Sequence, residues 1–449
     1  MSTKMGFWRS ALAGAAVLLL SSGAVSARII EAKGISTIMS GAILVYTDLE
    51  LDLDNGVDTR IQLTNTSEFL TRVDCYYINA NSHCGGDGGP VCRTDLDCSA
   101  FPGLRCLPGW AKTDFRLTLT KRQPISWSLG DGLGQLPLGN TPGQNNQFNE
   151  GSIPPAPENP FIGELRCIQM DAGDADRPSD RNDLKGETTV VTLGEGVIDA
   201  RKVNAIAIKA IEGAQDGVLN VLNIGGPDAE YGAFPADGQE SNVGCPNIWT
   251  VNHFFEGAPV VTHEGSVARN VNTELTVVPC GANLLTDIPG NATLQFLIYN
   301  EFEQRFSTST RIDCYRETRL ADIDTRPGLD GDRRSIFSVG TQGTLTGMSR
   351  VRSVSGATDN DNEYDGNGVL LQLEELWGLG TCSDGAGGAS SGGEGYPMAP
   401  EATCSADSDC PDGSTCEAPG EGLPYKTTAA NVQFQGSRSQ GDQIILPQF

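Results

Sequence analysis

Two short stretches decide the fold that the sequence predicts: residues 59–66 read TRIQLTNT, and residues 72–76 read RVDCY. Apolar and polar residues alternate in the first stretch, which is the period-two pattern of a β-strand with one buried face. The pair recurs later in the chain, where residues 293–300 read TLQFLIYN and residues 311–315 read RIDCY. This recurrence indicates an internal duplication, with two halves of similar construction.

Similar alternation extends over much of the chain, in short segments separated by turn residues. Glycine and proline are abundant, with 55 and 24 residues among 449, which favours many turns over long helices. Residues 199–212 fit either a helix or a strand, and the alternation of Ile206, Ile208 and Ala210 favours the strand. The predicted fold class is therefore all-β: two related immunoglobulin-like antiparallel β-sandwich domains with disulfide-stapled loops.

Residues 1–27 are typical of a secretory signal peptide. Lys4 and Arg9 are the only charged residues there, residues 11–20 (ALAGAAVLLL) form an apolar core, and residues 25–27 (VSA) offer a small-residue cleavage site. The apolar core is shorter than the about 20 residues of a spanning helix. We therefore expect no membrane span after signal removal, and an uncleaved anchor is the alternative.

The remaining chain divides into two predicted domains. Domain 1 covers residues 28–245 and carries a Cys-rich insertion at 84–106. Domain 2 covers residues 246–449 and carries a second Cys-rich insertion at 382–416.

Thirteen cysteines in an exported chain indicate an oxidising destination and disulfides. No two cysteines stand in a C-x-x-C arrangement, which argues against a zinc knuckle, a thioredoxin-type redox site and covalent haem attachment. We expect Cys75 to pair with Cys167 and Cys280 with Cys314, which leaves Cys245 over. The other eight staple two loops: Cys84, Cys92, Cys98 and Cys106 in the first, and Cys382, Cys404, Cys410 and Cys416 in the second.

The chain is strongly acidic, with 57 Asp and Glu against 31 Lys and Arg and a net charge of −26. Such a surface repels nucleic acid and anionic lipid, so a nucleic-acid partner is not expected.

An acidic loop is the best candidate for a metal site. Asp361, Glu363 and Asp365, followed by Gly366 and Gln372, nearly fit the spacing of a calcium loop. Glu363 is longer than the usual ligand, and Gln372 cannot offer a bidentate carboxylate. A bound calcium ion and a solvated acidic turn both explain these residues, and no other cofactor is expected.

A second acidic stretch lies near the start of domain 1. Asp48, Glu50, Asp52 and Asp54 alternate with leucines over most of the stretch, so in an extended chain their carboxylates share one face. Like charges so close together repel one another unless a cation or solvent screens them. Weak calcium binding and simple solubility are both consistent with the pattern.

The sequence contains no coherent catalytic constellation. His253, His263 and Glu264 lack the spacing of a zinc motif, and His253 beside two phenylalanines fits a strand at a domain junction. A hydrolase with paired carboxylates requires a cleft with aromatic side chains nearby. The tryptophans that would serve there, or else fill the core, are Trp110, Trp127, Trp249 and Trp377.

Two segments carry a resemblance to known proteins. Asn65-Thr66-Ser67 at the end of a strand, followed by a strand with a Cys, resembles the opening of immunoglobulin-like domains in bacterial envelope proteins. Residues 404–416 (CSADSDCPDGSTC) are similar to short disulfide knots of secreted deltaproteobacterial proteins. The resemblance implies an envelope or secreted setting and supplies no catalytic residues.

The sequence thus predicts an exported, non-catalytic binding or structural protein in the periplasm, at the cell surface or outside the cell. Its loops would contact a protein or surface glycan, or a further copy of the chain. The alternative is a secreted hydrolase or carbohydrate-active enzyme on a β-sandwich.

Overall fold

Period-two alternation produces the strands that the sequence predicts. In the strand Val57–Asn65 the side chains of Thr59, Ile61 and Leu63 are buried, while those between them are half-buried or exposed. The computed structural model describes residues 34–447 except 87, 93–94, 135, 138–147, 150–151, 175, 195–196, 215–216, 226–228, 233–244, 257, 262–267, 324, 328–332, 338–344, 356–363, 366–367, 378–379, 384–402, 405–414, 418–424, 429–432 and 435–441.

The first half of the chain forms two facing sheets. One sheet has the strand order β1-β15-β2-β12-β4-β8 and the other β14-β13-β3-β9, with antiparallel pairs throughout. The strands of this half are β1 (Ile35–Ser36), β2 (Ile43–Leu51), β3 (Val57–Asn65), β4 (Thr71–Asn79), β5 (Ser82–Cys84), β6 (Val91–Cys92), β7 (Cys106–Leu107), β8 (Ala111–Leu119), β9 (Pro124–Ser128), β10 (Leu136–Pro137), β11 (Phe148–Asn149), β12 (Phe161–Met170), β13 (Leu184–Gly194), β14 (Val197–Asn204) and β15 (Ile206–Ile208).

The second half forms another pair of sheets, with the orders β22-β21-β26-β17-β33 and β18-β19-β28-β32. Strand β16 (Val221–Ile224) still belongs to the first half. The strands of the second half are β17 (Ile248–Phe254), β18 (Ala258–Val261), β19 (Ala268–Pro279), β20 (Ala282–Asn283), β21 (Gly290–Asn300), β22 (Arg305–Asp313), β23 (Arg316–Arg319), β24 (Thr325–Pro327), β25 (Arg333–Ser335), β26 (Thr346–Ser355), β27 (Tyr364–Asp365), β28 (Val369–Trp377), β29 (Gly380–Ser383), β30 (Thr403–Cys404), β31 (Thr415–Glu417), β32 (Tyr425–Thr428), β33 (Gln433–Phe434) and β34 (Asp442–Ile445).

The all-β, sandwich-like antiparallel fold is confirmed. The helices among the described residues are one turn of α-helix, α1 (Leu320–Ile323), and two short 3-10 turns, Leu53–Asn55 and Asp97–Ala100. None of the described helices is long and apolar enough to cross a membrane. The ambiguous region around Ile206 is extended, in β14 and β15, as its alternation favours.

The six-stranded sheet is covered on both faces. One face packs on the four-stranded sheet through a core that includes Leu44 and Ile61. The other face packs on the second half through a larger core, in which Ile43 and Ile168 join Val277 and Leu371. Strands β2, β4 and β12 are consequently buried along nearly their whole length, as in sheets that lie between two layers.

The two halves are also joined through strand pairing. Strand β34 lies between β16 and β20, antiparallel to the first and parallel to the second. The predicted division between residues 245 and 246 therefore lies within a region of shared packing, and it stays a prediction.

The two copies of the repeated pentapeptide differ in local structure. Cys75 lies in the middle of β4, directly opposite Cys167 on β12. Cys314 follows β22 and has a φ of 70°, outside the extended region of the backbone. The pentapeptide match therefore does not extend to backbone conformation.

Substitution of Gly163 tests the packing of the six-stranded sheet. Gly163 lies on β12 between β2 and β4, and a Cβ there would overlap the carbonyl oxygen of Ile78. We expect Gly163→Ala to lower the free energy of unfolding by about 1–3 kcal/mol, measured by denaturant titration. The control is Gly134→Ala, because a Cβ at Gly134 meets nothing within 4 Å. Equal stability of the two variants would contradict the packing described here.

Candidate functional site

A buried ion-pair network joins the two halves of the chain beside the six-stranded sheet. Arg201 of β14 contacts Asp48 and Glu50 of β2 and Glu374 of β28, at 2.9 Å for Asp48 Oδ2 and 2.8 Å for Glu374 Oε1. Arg201, Asp48 and Glu374 are buried. One guanidinium of the first half thus holds a carboxylate of the second half, and we call this set the Arg201 network.

A β-bulge turns Asp48 toward this network. The register of β2 against β12 shifts by one residue between Tyr46 and Leu49, so Thr47 and Asp48 share the single partner position of Glu164. Tyr46 and Leu49 both point into the core of the first sandwich. Thr47 and Asp48 are therefore left to face the second half.

The amide of Gln372, on β28, meets both residues of the bulge. Thr47 Oγ1 donates a hydrogen bond to Gln372 Oε1, and Gln372 Nε2 donates to Asp48 Oδ2 at 3.3 Å. Gln372 was the last ligand of the predicted calcium loop, and its side chain is instead engaged here.

A second buried arginine links the halves a short distance away. Arg166 of β12 donates to the carbonyl oxygens of Pro279 and Cys280, at 2.7 and 2.9 Å. Its guanidinium also pairs with Glu164 at 2.8 Å. Burial raises the pKa of Glu164, although the charge of Arg166 opposes that shift.

Glu317 of β23 adds an acid that the network does not neutralise. Burial, and then the charges of Glu274, Glu50 and Asp48, raise the pKa of Glu317 well above its usual value, against the opposing effect of Arg201. One carboxylate oxygen from each of Asp48, Glu50 and Glu317 lies within 4.8 Å of the others. These three residues could hold a cation, but Arg201 already pairs with two of them.

The predicted calcium ligands Asp361 and Glu363 lie outside the described residues. Asp365 is in β27, which pairs in parallel with β21, and its side chain is also outside the description. In the second acidic stretch, Asp48 and Glu50 share a face of β2 as predicted. Asp52 lies beyond that strand, at the start of the 3-10 turn that contains Asp54.

Residues 82–107 form a small module, here called the stapled loop. The disulfides Cys84–Cys98 and Cys92–Cys106 cross it, and the three strands β5, β6 and β7 form its sheet. The buried interior consists of cysteine side chains. The large apolar side chains of the module are exposed instead, with Leu96 at 77%; they are Val91, Leu96, Phe101, Leu104 and Leu107.

Glu158 anchors the stapled loop to the first sandwich. Its carboxylate accepts hydrogen bonds from the amides of Asn79, at 2.6 Å, and Asn81, and contacts His83 Nε2 at 3.0 Å. Burial opposes ionisation of Glu158, but the bonds from Asn81, Asn79 and His83 outweigh it and lower the pKa. One carboxylate thus ties His83, near the start of the loop, to Asn79 and Asn81 just before it.

A surface cleft of about 250 Å³ holds two carboxylates, Asp74 and Asp176. Both contact the same nitrogen of Arg116, at 2.9 Å for Asp74 Oδ2 and 3.5 Å for Asp176 Oδ1. Asp74 is bidentate, since Arg116 Nε also donates to its other oxygen at 2.7 Å. Burial raises the pKa of Asp74 and the pairing with Arg116 opposes that shift.

No aromatic residue lines this cleft among the described residues. Trp110, Trp127 and Trp249 are buried in the cores, and the side chain of Trp377 lies outside the description. The described tryptophans therefore pack the cores. Of the two roles that the sequence left open for them, this is core packing and not the lining of a carbohydrate-binding cleft.

His253 lies inside the second half, on β17. Its Nε2 is 2.8 Å from Ser349 Oγ, and the rings of Phe255 and Phe337 meet its imidazole edge to face. Burial lowers the pKa of His253 to about 4, so the imidazole is neutral at physiological pH. His263 and Glu264 lie outside the described residues.

The two predicted cysteine pairs receive an outcome. The pair Cys75–Cys167 is present. The predicted pair Cys280–Cys314 is wrong for this structure, because Cys280 is bonded to Cys245, which the sequence left over.

The backbone explains the choice of Cys245. Cys280 N donates to Gly368 O, and the next residue, Val369, donates from its N to Pro246 O. Residues 368–369 therefore bring Cys245 beside Cys280, and no spacing in the sequence indicates this.

The second cysteine group is described in part. Cys382 on β29 lies opposite Cys416 on β31, and Cys404 is on β30. The side chains of these three residues, and all of Cys410, lie outside the description.

No protein-family model matches the chain, and no curated protein gives a significant match. The class of the protein therefore follows from the structure alone. It is an all-β, disulfide-containing protein in which two sandwich-like halves share a buried ionic interface. Its disulfides fit a compartment outside the reducing cytoplasm.

Removal of Arg201 tests the role of the network. We expect Arg201→Met to lower the free energy of unfolding by about 3–5 kcal/mol, because buried carboxylates would lose their cation. The matched control is Lys202→Met, which removes an exposed ion pair with Glu187 and should cost less than about 1 kcal/mol. Denaturant titration measures the free energy of unfolding of both variants. Equal losses would show that the buried ion pairs of Arg201 stabilise the fold no more than the exposed pair of Lys202 does.

Substitution of Glu317 tests the surplus negative charge. The folded protein keeps the proton of Glu317 above pH 4.5, the usual pKa, whereas the unfolded chain releases it. The wild-type free energy of unfolding therefore carries a contribution that is full below that pH and is lost as the pH rises through the raised pKa. Glutamine cannot ionise, so Glu317→Gln should gain stability relative to wild type between pH 5 and 8.

Melting temperatures across that pH range measure the effect. Glu212→Gln removes one exposed carboxylate and is the matched control. Parallel curves for wild type and Glu317→Gln would contradict the assignment.

Proposed function

We propose that the protein is an exported, non-catalytic binding or structural protein of the cell envelope, cell surface or extracellular matrix, and that the stapled loop is its contact surface. The observation that supports this most is the distribution of side chains in the loop. Cysteines occupy its interior, while five large apolar side chains face solvent. Exposed apolar clusters on an otherwise polar surface mark sites of interaction.

The construction of the loop fits such a role. Two disulfides restrict the loop, and Glu158 ties its residue His83 to Asn79 and Asn81, which precede the loop. A surface that is already ordered loses little conformational entropy when it binds. The loop therefore presents its apolar side chains at low entropic cost.

The setting is inferred from the N-terminal sequence and the disulfides. Residues 1–27 are typical of a signal peptide, and disulfides persist in oxidising compartments. With a net charge of −26, the chain favours a protein or glycan partner that is neutral or basic around its apolar part. A stabilising calcium ion at Asp361, Glu363 and Asp365 stays a prediction from the sequence.

A hydrolase with paired carboxylates is the less favoured function. Asp74 and Asp176 share a cleft, but Asp74 has both oxygens bound to Arg116. A carboxylate held in this way is poorly placed to donate a proton to a leaving group. The arrangement supports a structural role for Asp74.

The test is binding of the labelled mature chain, residues 28–449, to isolated envelopes of the source organism. We expect wild-type protein to bind saturably and the double variant Leu96→Ser, Leu104→Ser to bind at least tenfold more weakly. The matched control is Leu53→Ser, Leu193→Ser, which changes two exposed leucines of the first sandwich, at 55% and 58% exposure.

Non-reducing peptide maps verify that both loop disulfides form in each variant. Absence of saturable binding by the wild type would refute the proposed function. Undiminished binding by the loop variant would refute the assignment of the surface.

A further inference from the structure

The outer face of one sheet in the second half carries several arginines. In the strands β22, β21, β26 and β17 the residues of the inner face, such as Phe296 and Val351, are buried in the core. Residues directly opposite one another on antiparallel strands share a face, so the strand register gives the members of the other face. Its charged members are all exposed, and they are Arg305, Arg311, Asp313, Arg350 and Arg352. We call this surface the arginine face.

The arginine face is basic although the chain is acidic. Four of its five charged residues are arginines, whereas Asp and Glu outnumber Lys and Arg by 57 to 31 in the whole chain. Arg311 pairs with Asp313 at 2.7 Å, and no ion pair among the described residues includes Arg350 or Arg352. Exposed charges interact over about 8 Å at physiological ionic strength. Acidic residues elsewhere on the chain therefore act weakly on a ligand that lies on this face.

Strand geometry sets the spacing of the arginines. Arg350 and Arg352 lie two residues apart on β26, which separates their Cα atoms by about 7 Å. Arg305 and Arg311 lie on β22, two strands away from β26 and thus about 10 Å from it. Cations spread in this way over an open sheet can contact several anions of one extended polymer, and each further contact then forms within the same complex.

The uncharged side chains of the arginine face suit a sugar chain. Half-buried Leu297 and Met348 and the ring of Tyr299 offer apolar surface to the C–H faces of sugar rings. Hydroxyl and amide groups that can exchange hydrogen bonds with sugar hydroxyls lie on the same face. They belong to Thr250, Thr293, Gln295, Tyr299, Ser307 and Ser309.

We propose that the arginine face binds an acidic polysaccharide. Its arginines pair with the carboxylates or sulfates of the polymer, since a guanidinium donates two parallel hydrogen bonds to such an anion. The hydroxyl, amide and apolar side chains between them contact the sugar rings. The face belongs to the second half of the chain and the stapled loop to the first. The inference therefore does not depend on the proposed role of the stapled loop.

Binding to two anionic polysaccharides tests the proposal. The mature chain, residues 28–449, is measured by biolayer interferometry on immobilised polygalacturonate and on dextran sulfate, with plain dextran as the uncharged reference. A chelator in the buffer prevents calcium from bridging acidic groups of the protein and the polymer. We expect the wild type to bind at least one anionic polymer and not dextran, and the preferred polymer identifies the anion as carboxylate or sulfate.

Substitution of two arginines tests the surface. We expect the double variant Arg350→Gln, Arg352→Gln to bind the preferred polymer about tenfold more weakly, because two of the charged contacts are lost. The matched control is Arg60→Gln, Lys185→Gln, which removes two exposed cations from the outer face of the four-stranded sheet. The control should bind like the wild type, and melting temperatures verify that both variants are folded.

Three results would overturn the proposal. The first is a wild type that binds neither anionic polysaccharide, a result that does not depend on any variant. The second is an equal loss of binding in the two double variants. The third is tighter binding of the wild type to polyglutamate or to single-stranded DNA than to either polysaccharide, which would identify the ligand as an acidic peptide or a nucleic acid.

Discussion

Both faces of the six-stranded sheet are buried, one against the four-stranded sheet and the other against the second half. Polar side chains on a sheet covered from both sides are removed from water and need partners within the protein. Asp48 and Glu164 are such residues, and the arginines that balance them are themselves buried. The second half must therefore dock where Glu374, Gln372 and the carbonyl oxygens at the end of β19 complete these contacts. Apolar packing brings the halves together, and the buried charges restrict the docking to one arrangement.

The alternating pattern predicted the strands well, because period-two burial is a local property of an extended chain. It could not predict that a second layer covers the outer face of β2 and β12. The sequence does contain a signal of this layer: Glu164 and Arg166 lie two residues apart in a largely apolar strand, and Asp48 and Glu50 lie in another. Charges at such positions indicate solvent or a buried ion pair equally well, and only tertiary structure separates the two.

The bulge and the cysteine pairing were outside the reach of the sequence for a related reason. The bulge at Thr47 and Asp48 depends on how β2 aligns with β12, which lies more than a hundred residues later. Cys75 and Cys167 were paired correctly, whereas Cys280 was assigned to the wrong partner. The hydrogen bonds of residues 368–369 decide that choice, and they connect segments far apart in sequence. The apolar residues of the stapled loop can be read from the sequence, but their exposure cannot be predicted from it. That exposure follows from an interior filled by cysteine side chains.

Strand β34 has a consequence for how the molecule is made. It fills the gap between β16 of the first half and β20 of the second, and it leaves the ribosome after both of them. Until it arrives, both neighbouring strands have an open edge that can pair with other chains. The sheets that contain only earlier strands can form first, but this seam closes only when β34 pairs with both neighbours. A chain in which β34 has not yet paired thus presents two open edges that this one strand closes.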